Sequence, residues 1–340
     1  MTTRPTTITG VGLALRPPRV EDADALGQLV GDVDRSQDVV AGWVRRWERD
    51  GFGSWVVAVE DEPVGFVGVR PREDDIALTV RSTPAVAADG RARAALRLAV
   101  ADAVEWLPDV PLRLRVAEDD PTTRAVAESS GLVHVPEDDH EARGTRWQVL
   151  ESPYVRTFTT LPPRARRSLV DLWVRVNDAG GAVGFVAGAP REDVEAEVER
   201  REDGLASGHL RGVGLMTPAG DLVGAAFLRT PTTPLQAHIR SVESVMVDPQ
   251  RRGASLGRHL MAGVHRAARD EGVEILTLDY RDGVGLGQFY AKVGYTEVGR
   301  QPGVIRVAPG DDRDSVLLWR RLAETPAPDQ TGAPEEPERR

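Results

Sequence analysis

The 340-residue sequence contains no cysteine. A disulfide framework, a thiolate nucleophile and any Cys-based zinc or iron–sulfur site are therefore excluded. Lysine is nearly absent as well: of 43 basic residues only Lys292 is not an arginine, a bias that reflects GC-rich coding more than chemistry, since the two differ in function only at particular sites. The six histidines, at 134, 140, 209, 238, 259 and 265, form no ligand-spaced cluster, so no metal is expected. No run of about 18 apolar residues occurs, and the opening Met1-Thr2-Thr3-Arg4-Pro5 lacks the apolar stretch of a signal peptide. A soluble, cytoplasmic protein without a membrane partner is expected. The net charge of −10 argues against nucleic acid as the main partner and favours a cationic ligand.

The length is about twice that of an average domain. Signals recur in one order in both halves: helices, paired strands, a strand ending near a proline, a Gly-containing turn into a long helix, a strand, a short helix and a strand. Domains are expected over 1–152 and 153–322. The Pro-rich, charged stretch 323–340 has no apolar periodicity and predicts a disordered tail.

In the first half, strands are predicted at Leu13–Arg16, Ser54–Val59, Val64–Val69, Ile76–Val80 and Leu112–Val116. Helices are predicted over Asp22–Val30 and Val39–Trp47, after Gly90, and over Pro121–Ser129, with Gly131 as the last one's stop. In the second half, helices Arg164–Val174 and Arg191–Arg201 precede strands Gly212–Met216, Leu222–Leu228 and Ile239–Val247. A long helix follows Gly257, then strand Ile275–Asp279, a Gly-rich link, the short helix Gly287–Val293 and strands near Tyr295–Val298 and Ser315–Trp319. Alternating helices and strands mean α/β or α+β layers.

The most informative run is Val245 through Arg258, an apolar strand, a stop at Pro249 and then small residues entering a helix. A helix start leaves backbone N–H groups free and carries about half a positive charge, so small residues there let an anion approach. The run is neither a Walker loop nor a Rossmann turn, since G-x-x-x-x-G-K-[ST] and G-x-G-x-x-G are both absent. On physics alone an anion site and a plain Gly-rich turn stand level.

The same residues resemble motif A of the GNAT superfamily of acyl-CoA-dependent N-acyltransferases. Its pattern V-x-P-x-x-[RQ]-x-x-G-x-[GA] falls on Val247, Pro249, Arg252, Ser255 and Gly257, with Ser255 in place of the middle glycine. The resemblance implies a fold of class α/β (α+β): two tandem GNAT folds, each a mixed, mostly antiparallel central sheet flanked by helices. It implies acetyl-CoA as co-substrate and no metal. Val245, Met246 and Val247 would pair with the pantetheine arm, while Arg252, Gly253, Ala254, Ser255, Leu256, Gly257 and Arg258 would hold the pyrophosphate. Gly287 through Tyr295 resembles motif B, which makes Tyr290 the acid that returns a proton to the departing thiolate. Across about 150–320 the chain is similar to the tabtoxin resistance acetyltransferase type, on Gly180–Phe185, Val242–Val247 with Gly257–Met261, and Glu297–Gly303. In that type two strand carboxylates serve the acceptor amine. One falls on Asp279. The other position is Ser241 here, with Glu243 two residues on and facing the same side. Asp279 or Glu243 is the expected base, with an ordinary salt bridge to arginine as the alternative role of each. A backbone N–H near Met246 or Val247 is expected to meet the oxyanion.

The first half resembles a GNAT domain of the ribosomal-protein N-acetyltransferase type, on Trp47–Trp55 and Thr123–Leu132. Its motif A is degraded: Gly90 and Ala92 remain, but Ala87 replaces the arginine and Asp89 adds a negative charge where phosphates would lie. A structural or substrate-shaping first domain is expected, with a second working site as the alternative. The implied activity is acetyl transfer by direct attack, in the second domain, to a primary amine of a small molecule or peptide. Protein N-terminal or lysine acetylation, and an acyl-CoA sensor or scaffold without turnover, remain open. The assembly is expected to be a monomer with pseudo-dimeric halves, their sheets paired, or a homodimer.

Overall fold

A computed structural model describes residues 4–30, 35–181, 183–186, 188–251 and 253–322. Arg252 and the expected tail at 323–340 lie outside the described residues.

The first half runs β1 (Ile8–Gly10), β2 (Leu13–Arg16), α1 (Asp22–Val30), α2 (Ser36–Asp50), β3 (Ser54–Val59), β4 (Glu62–Pro71), β5 (Ile76–Ser82), α3 (Pro84–Ala88), α4 (Arg91–Trp106), β6 (Leu112–Ala117), α5 (Pro121–Ser129), β7 (Val133–His134), β8 (His140–Ala142) and β9 (Thr145–Glu151). The second half runs β10 (Tyr154–Phe158), α6 (Pro163–Asp178), α7 (Arg191–Ala206), β11 (Leu210–Met216), β12 (Leu222–Arg229), β13 (Ile239–Val247), α8 (Leu256–Asp270), β14 (Ile275–Arg281), α9 (Leu286–Lys292), β15 (Thr296–Ala308) and β16 (Asp311–Arg321).

The strands form two sheets, in the orders β1-β2-β3-β4-β5-β6-β9-β7, with β8 on β9, and β10-β11-β12-β13-β14-β16-β15. In each sheet one pair is parallel, β5 with β6 and β13 with β14, and the rest are antiparallel. The expected fold class is therefore observed in both halves. Several elements lack a strong sequence signal. β1, β7, β8 and β10 are short edge strands with little alternation, and edge pairing adds them to a sheet whose core is already specified. α2 and α7 extend beyond the predicted ends, and Glu62 and Pro63, which precede the predicted strand Val64–Val69, begin β4. The turn itself is made by Glu60 and Asp61, both at positive φ, as a two-residue hairpin turn requires.

The halves pack through helices rather than sheets. Among the described residues no strand of one sheet bonds to a strand of the other, which corrects the expectation of paired sheets. Instead α4 lies against α8, its counterpart in the repeat. The two run in the same direction: Ala94 and Arg97 share a cavity with Leu256 and Arg258, and further along Glu105 meets His265 and Arg269 while Asp109 pairs with Arg266. One apolar core runs through this contact, from Leu96 and Ala99 of α4 to Leu260, Met261 and Val264 of α8. Burying each of the Leu, Met and Val side chains contributes about 1.5–3 kcal/mol. Gly263 is needed because a Cβ there would stand 2.5 Å from Val155 of β10. A second core, under α6 and α7, is built around Trp173 and Phe227.

Candidate active site

The site begins with a divergence of strands. β13 pairs with β14 only over Ile239↔Ile275, Arg240↔Leu276 and Ser241↔Thr277. Beyond this, β13 bulges: its register with β12 shifts, and Ser244 takes φ 51, in the left-handed region. A bulge increases local twist and re-aims the strand, so β13 leaves β14 and a gap opens beside Val245–Val247. At its end Asp248 N–H donates to Val223 C=O of β12 at 2.9 Å. Successive N–H groups along a strand point to opposite edges. Val247 N–H therefore points away from β12 and into the gap.

Next comes the turn into α8. Ser255 is the N-cap at φ 56 and ψ 22, and its hydroxyl caps no amide. The first helical donor is His259 N–H, to Ser255 C=O at 3.2 Å. The N–H groups of Leu256, Gly257 and Arg258 thus start the helix without intrahelical partners, on its positive end. Gly257 matters sterically, since a Cβ would lie 3.1 Å from the Phe289 ring of α9.

Strand gap and helix start open on one cavity of about 730 Å³. One wall is Val245, Val247 and the turn from Gly253 to Arg258. A second is α9, with Leu286, Phe289, Tyr290 and Lys292. The third comes from the first half: Thr9–Val11 of the β1–β2 hairpin, and Ala94, Arg97 and Leu98 of α4.

Of the residues singled out by sequence, Val245, Val247, Gly253, Ser255, Leu256, Gly257 and Arg258 line this cavity. Ala254 lines a smaller cavity beside it. Met246 is buried, its side chain turned into the core under α6. Arg252 lies outside the described residues. The structure adds Arg251 and Lys292, together with the whole first-half wall. Arg251 and Lys292 sit within or beside the recognised motifs, and their charge was a usable signal. The first-half wall left none, because it depends on how the halves dock.

Tyr290 lines the cavity and is almost fully buried. Its ring sits among Tyr280, Phe289 and Tyr295 at 5.1–5.9 Å between centroids. Burial, reinforced by the negative charge of Asp279, pushes its phenol well above the ordinary value. It therefore keeps its proton at any pH the protein meets. Asp279 is exposed on β14, and Ser315 Oγ donates to its carboxylate at 2.9 Å. Asp279 and Glu243 each stand two residues past the last parallel pair, Ser241↔Thr277, so alternation turns both to one face across the gap.

Glu243 is not a free base. Arg201 of α7 donates to it at 2.7 Å, and Arg229 of β12 holds it in a second ion pair. Burial alone would raise its pKa, but the hydrogen bonds from Arg229 and Arg201 outweigh that and hold it below the usual carboxylate range. Of the two roles weighed for Glu243, the geometry is that of the salt bridge. Among the described residues no cluster of metal-ligating side chains occurs, and no helix is long and apolar enough to cross a membrane.

Comparison with known proteins gives the family. Residues 13–133 match one family model described as an acetyltransferase (GNAT) domain and residues 213–297 match a second with the same description. Among solved structures, the chain resembles a ribosomal-protein-alanine N-acetyltransferase from Brucella melitensis (21% identity, 49% of this chain and 99% of that one, TM-score 0.41). It also resembles an acetyltransferase of the GNAT family from Streptococcus pneumoniae (16%, 49% and 99%, 0.41) and the aminoglycoside 6'-N-acetyltransferase from Enterococcus faecium (18%, 52% and 99%, 0.39). The family models carry the assignment, and since they match both halves, the chain belongs to the GNAT acetyltransferases and carries two such domains in tandem.

Proposed function

We propose that the second half, 153–322, is an acetyl-CoA-dependent N-acetyltransferase acting on a primary amine of a small molecule or peptide, and that the first domain, 1–152, serves it structurally. The observation that carries this reading is the single cavity joining the strand gap, the uncapped start of α8 and Tyr290. Its residues suit an acyl-CoA: an apolar channel beside Val245 and Val247 for the pantetheine arm, then free amides and Arg258 for the phosphates. Acetyl-CoA supplies an activated thioester.

The rest is the work of side chains and backbone. Asp279, exposed and already oriented by Ser315, takes the proton of the incoming amine directly or through a water. Glu243, held by two arginines, positions the neighbouring face and does not accept that proton. Val247 N–H faces the gap where an oxyanion would develop. Tyr290, kept protonated by its surroundings, returns a proton to the leaving thiolate.

Titration calorimetry with acetyl-CoA on the full chain, followed by thiol-release assays against a panel of amines, tests the reading. Binding near one equivalent, with turnover lost in Tyr290→Phe, is the expected result. Absence of binding sinks it, and binding without turnover of any amine favours a sensor.

A further inference from the structure

In a chain of net charge −10, the described residues that line the 730 Å³ cavity include four cations, Arg97, Arg251, Arg258 and Lys292, and no carboxylate. Three of the four come from the second half. Arg97 comes from the first half, on α4. Its Nη2 donates to the Ser129 carbonyl, but its Nε is buried without a hydrogen-bond partner. A buried guanidinium N–H without an acceptor is costly, and arginine recognises phosphate through more than one N–H at once. Burial, with the charge of Arg93 one turn earlier, lowers the pKa of Arg97 to about 10. Arg258 is likewise lowered by burial, with the charge of Glu105 opposing. Partly desolvated guanidiniums are disfavoured until an anion arrives. The smaller adjoining cavity continues the pattern: Arg93, Arg97, Ser129 and Arg251 line it, with Glu128, whose carboxylate is engaged by Arg124.

We propose that the first domain completes the second domain's acyl-CoA site, with Arg97 binding a phosphate group of the coenzyme across the domain contact. The inference rests on the acyl-CoA reading of the cavity and extends it. The degraded first domain would then be retained because the working site has one wall missing without it. Arg97 is a binding residue and takes no part in proton transfer. Arg93 and Arg251 extend the cationic surface toward the adjoining cavity, where the nucleotide end would leave.

The test is calorimetry on the full chain with two probes, acetyl-CoA and S-acetylpantetheine, which has the thioester arm but no phosphate. Arg97→Gln is expected to raise the Kd for acetyl-CoA on the order of tenfold, as loss of a charge-assisted hydrogen bond does, and to leave the S-acetylpantetheine Kd unchanged. Arg97→Lys should recover part of the loss. Thermal melts of the unliganded variants check that the α4–α8 contact survives, and Leu98→Val, a pure packing change in the same wall, should weaken both probes alike. Unchanged acetyl-CoA affinity in Arg97→Gln, or equal weakening of both probes, overturns the proposal while leaving the acyl-CoA reading intact. Failure of the unsubstituted protein to bind acetyl-CoA removes both.

Discussion

The two strand–turn–helix segments of the repeat differ in what meets the start of the helix. In the first half a helical turn, α3, leads to Gly90 at φ 86, which opens α4. There Asp89 turns back, its carboxylate accepting from the Arg91 backbone N–H at 2.9 Å and pairing with the Arg91 side chain at 2.7 Å. In the second half Ser255 takes the equivalent left-handed N-cap and leaves the first amides of α8 open to a cavity. The helix start attracts negative charge in both cases. One segment satisfies that attraction with its own carboxylate, and the other leaves it open to a cavity. The strands follow suit: both parallel ladders last three pairs, but a register shift and a positive-φ serine accompany the divergence of β13 from its neighbour, whereas β5 keeps an unbroken register with β4. All four tyrosines also lie in the second half, so the first has no counterpart of Tyr290.

Removing the Tyr290 hydroxyl should break this asymmetry most severely. Tyr290→Phe is expected to lower kcat on the order of a hundredfold or more, with KM for acetyl-CoA little changed, in steady-state thiol-release assays. Converting the second turn to the first, by Ser255→Asp, should place a carboxylate against the open amides and weaken acetyl-CoA binding on the order of tenfold by calorimetry. An unaltered Kd would mean that the turn does not face phosphate. Gly257→Ala should push the Phe289 ring, 3.1 Å from the new Cβ, and reduce affinity a few-fold without loss of fold, checked by binding alongside circular dichroism.

The domain contact predicts a pH effect. Burial, only partly opposed by Glu105, lowers His265 to about 4, and burial with the charge of Arg266 lowers His259 to about 3. Both folded values lie below the unfolded value near 6.5, so the unfolded chain binds more protons between them. Stability is fully present above about pH 6.5 and falls as pH drops toward 4, by up to about 1.4 kcal/mol per pH unit for each histidine. Chemical denaturation between pH 7 and 4.5 should follow this slope, and His265→Gln should flatten it. The smallest change expected is a gain. Ser255→Gly relieves a left-handed conformation costing about 1–2 kcal/mol, offset by glycine's greater freedom when unfolded. A net rise of about 0.5 kcal/mol in the same denaturation experiment would register it.

The long elements and the site's central run were legible in the sequence. Leu13–Arg16, Asp22–Val30, Ser54–Val59, Pro121–Ser129 and Ile239–Val247 begin and end where their patterns indicated, because each has a buried face fixed by period and a clear stop. Gly90 and Gly131 do what glycine's freedom suggested, at φ 86 and 96. Short edge strands escaped, since pairing supplies what their sequences do not. The pairing of Glu243 escaped in part: arginines are everywhere in this sequence, and only the fold selects Arg201 and Arg229 from among them.

By itself, then, the sequence determined local matters: two repeats of one element order, a strand–turn–helix with small residues at the helix start, a tyrosine on a short helix, and a first motif altered by Asp89. Such features depend on neighbours within a few residues, where periodicity, glycine and charge act directly. The tertiary structure alone decided how α4 meets α8, that Arg97 enters the other domain's cavity, and which carboxylate stays free. The first two rest on contacts between residues more than a hundred positions apart, set by the fit of two apolar surfaces, and the third on pairings 14 to 42 positions apart between different elements; short-range patterning carries no record of either.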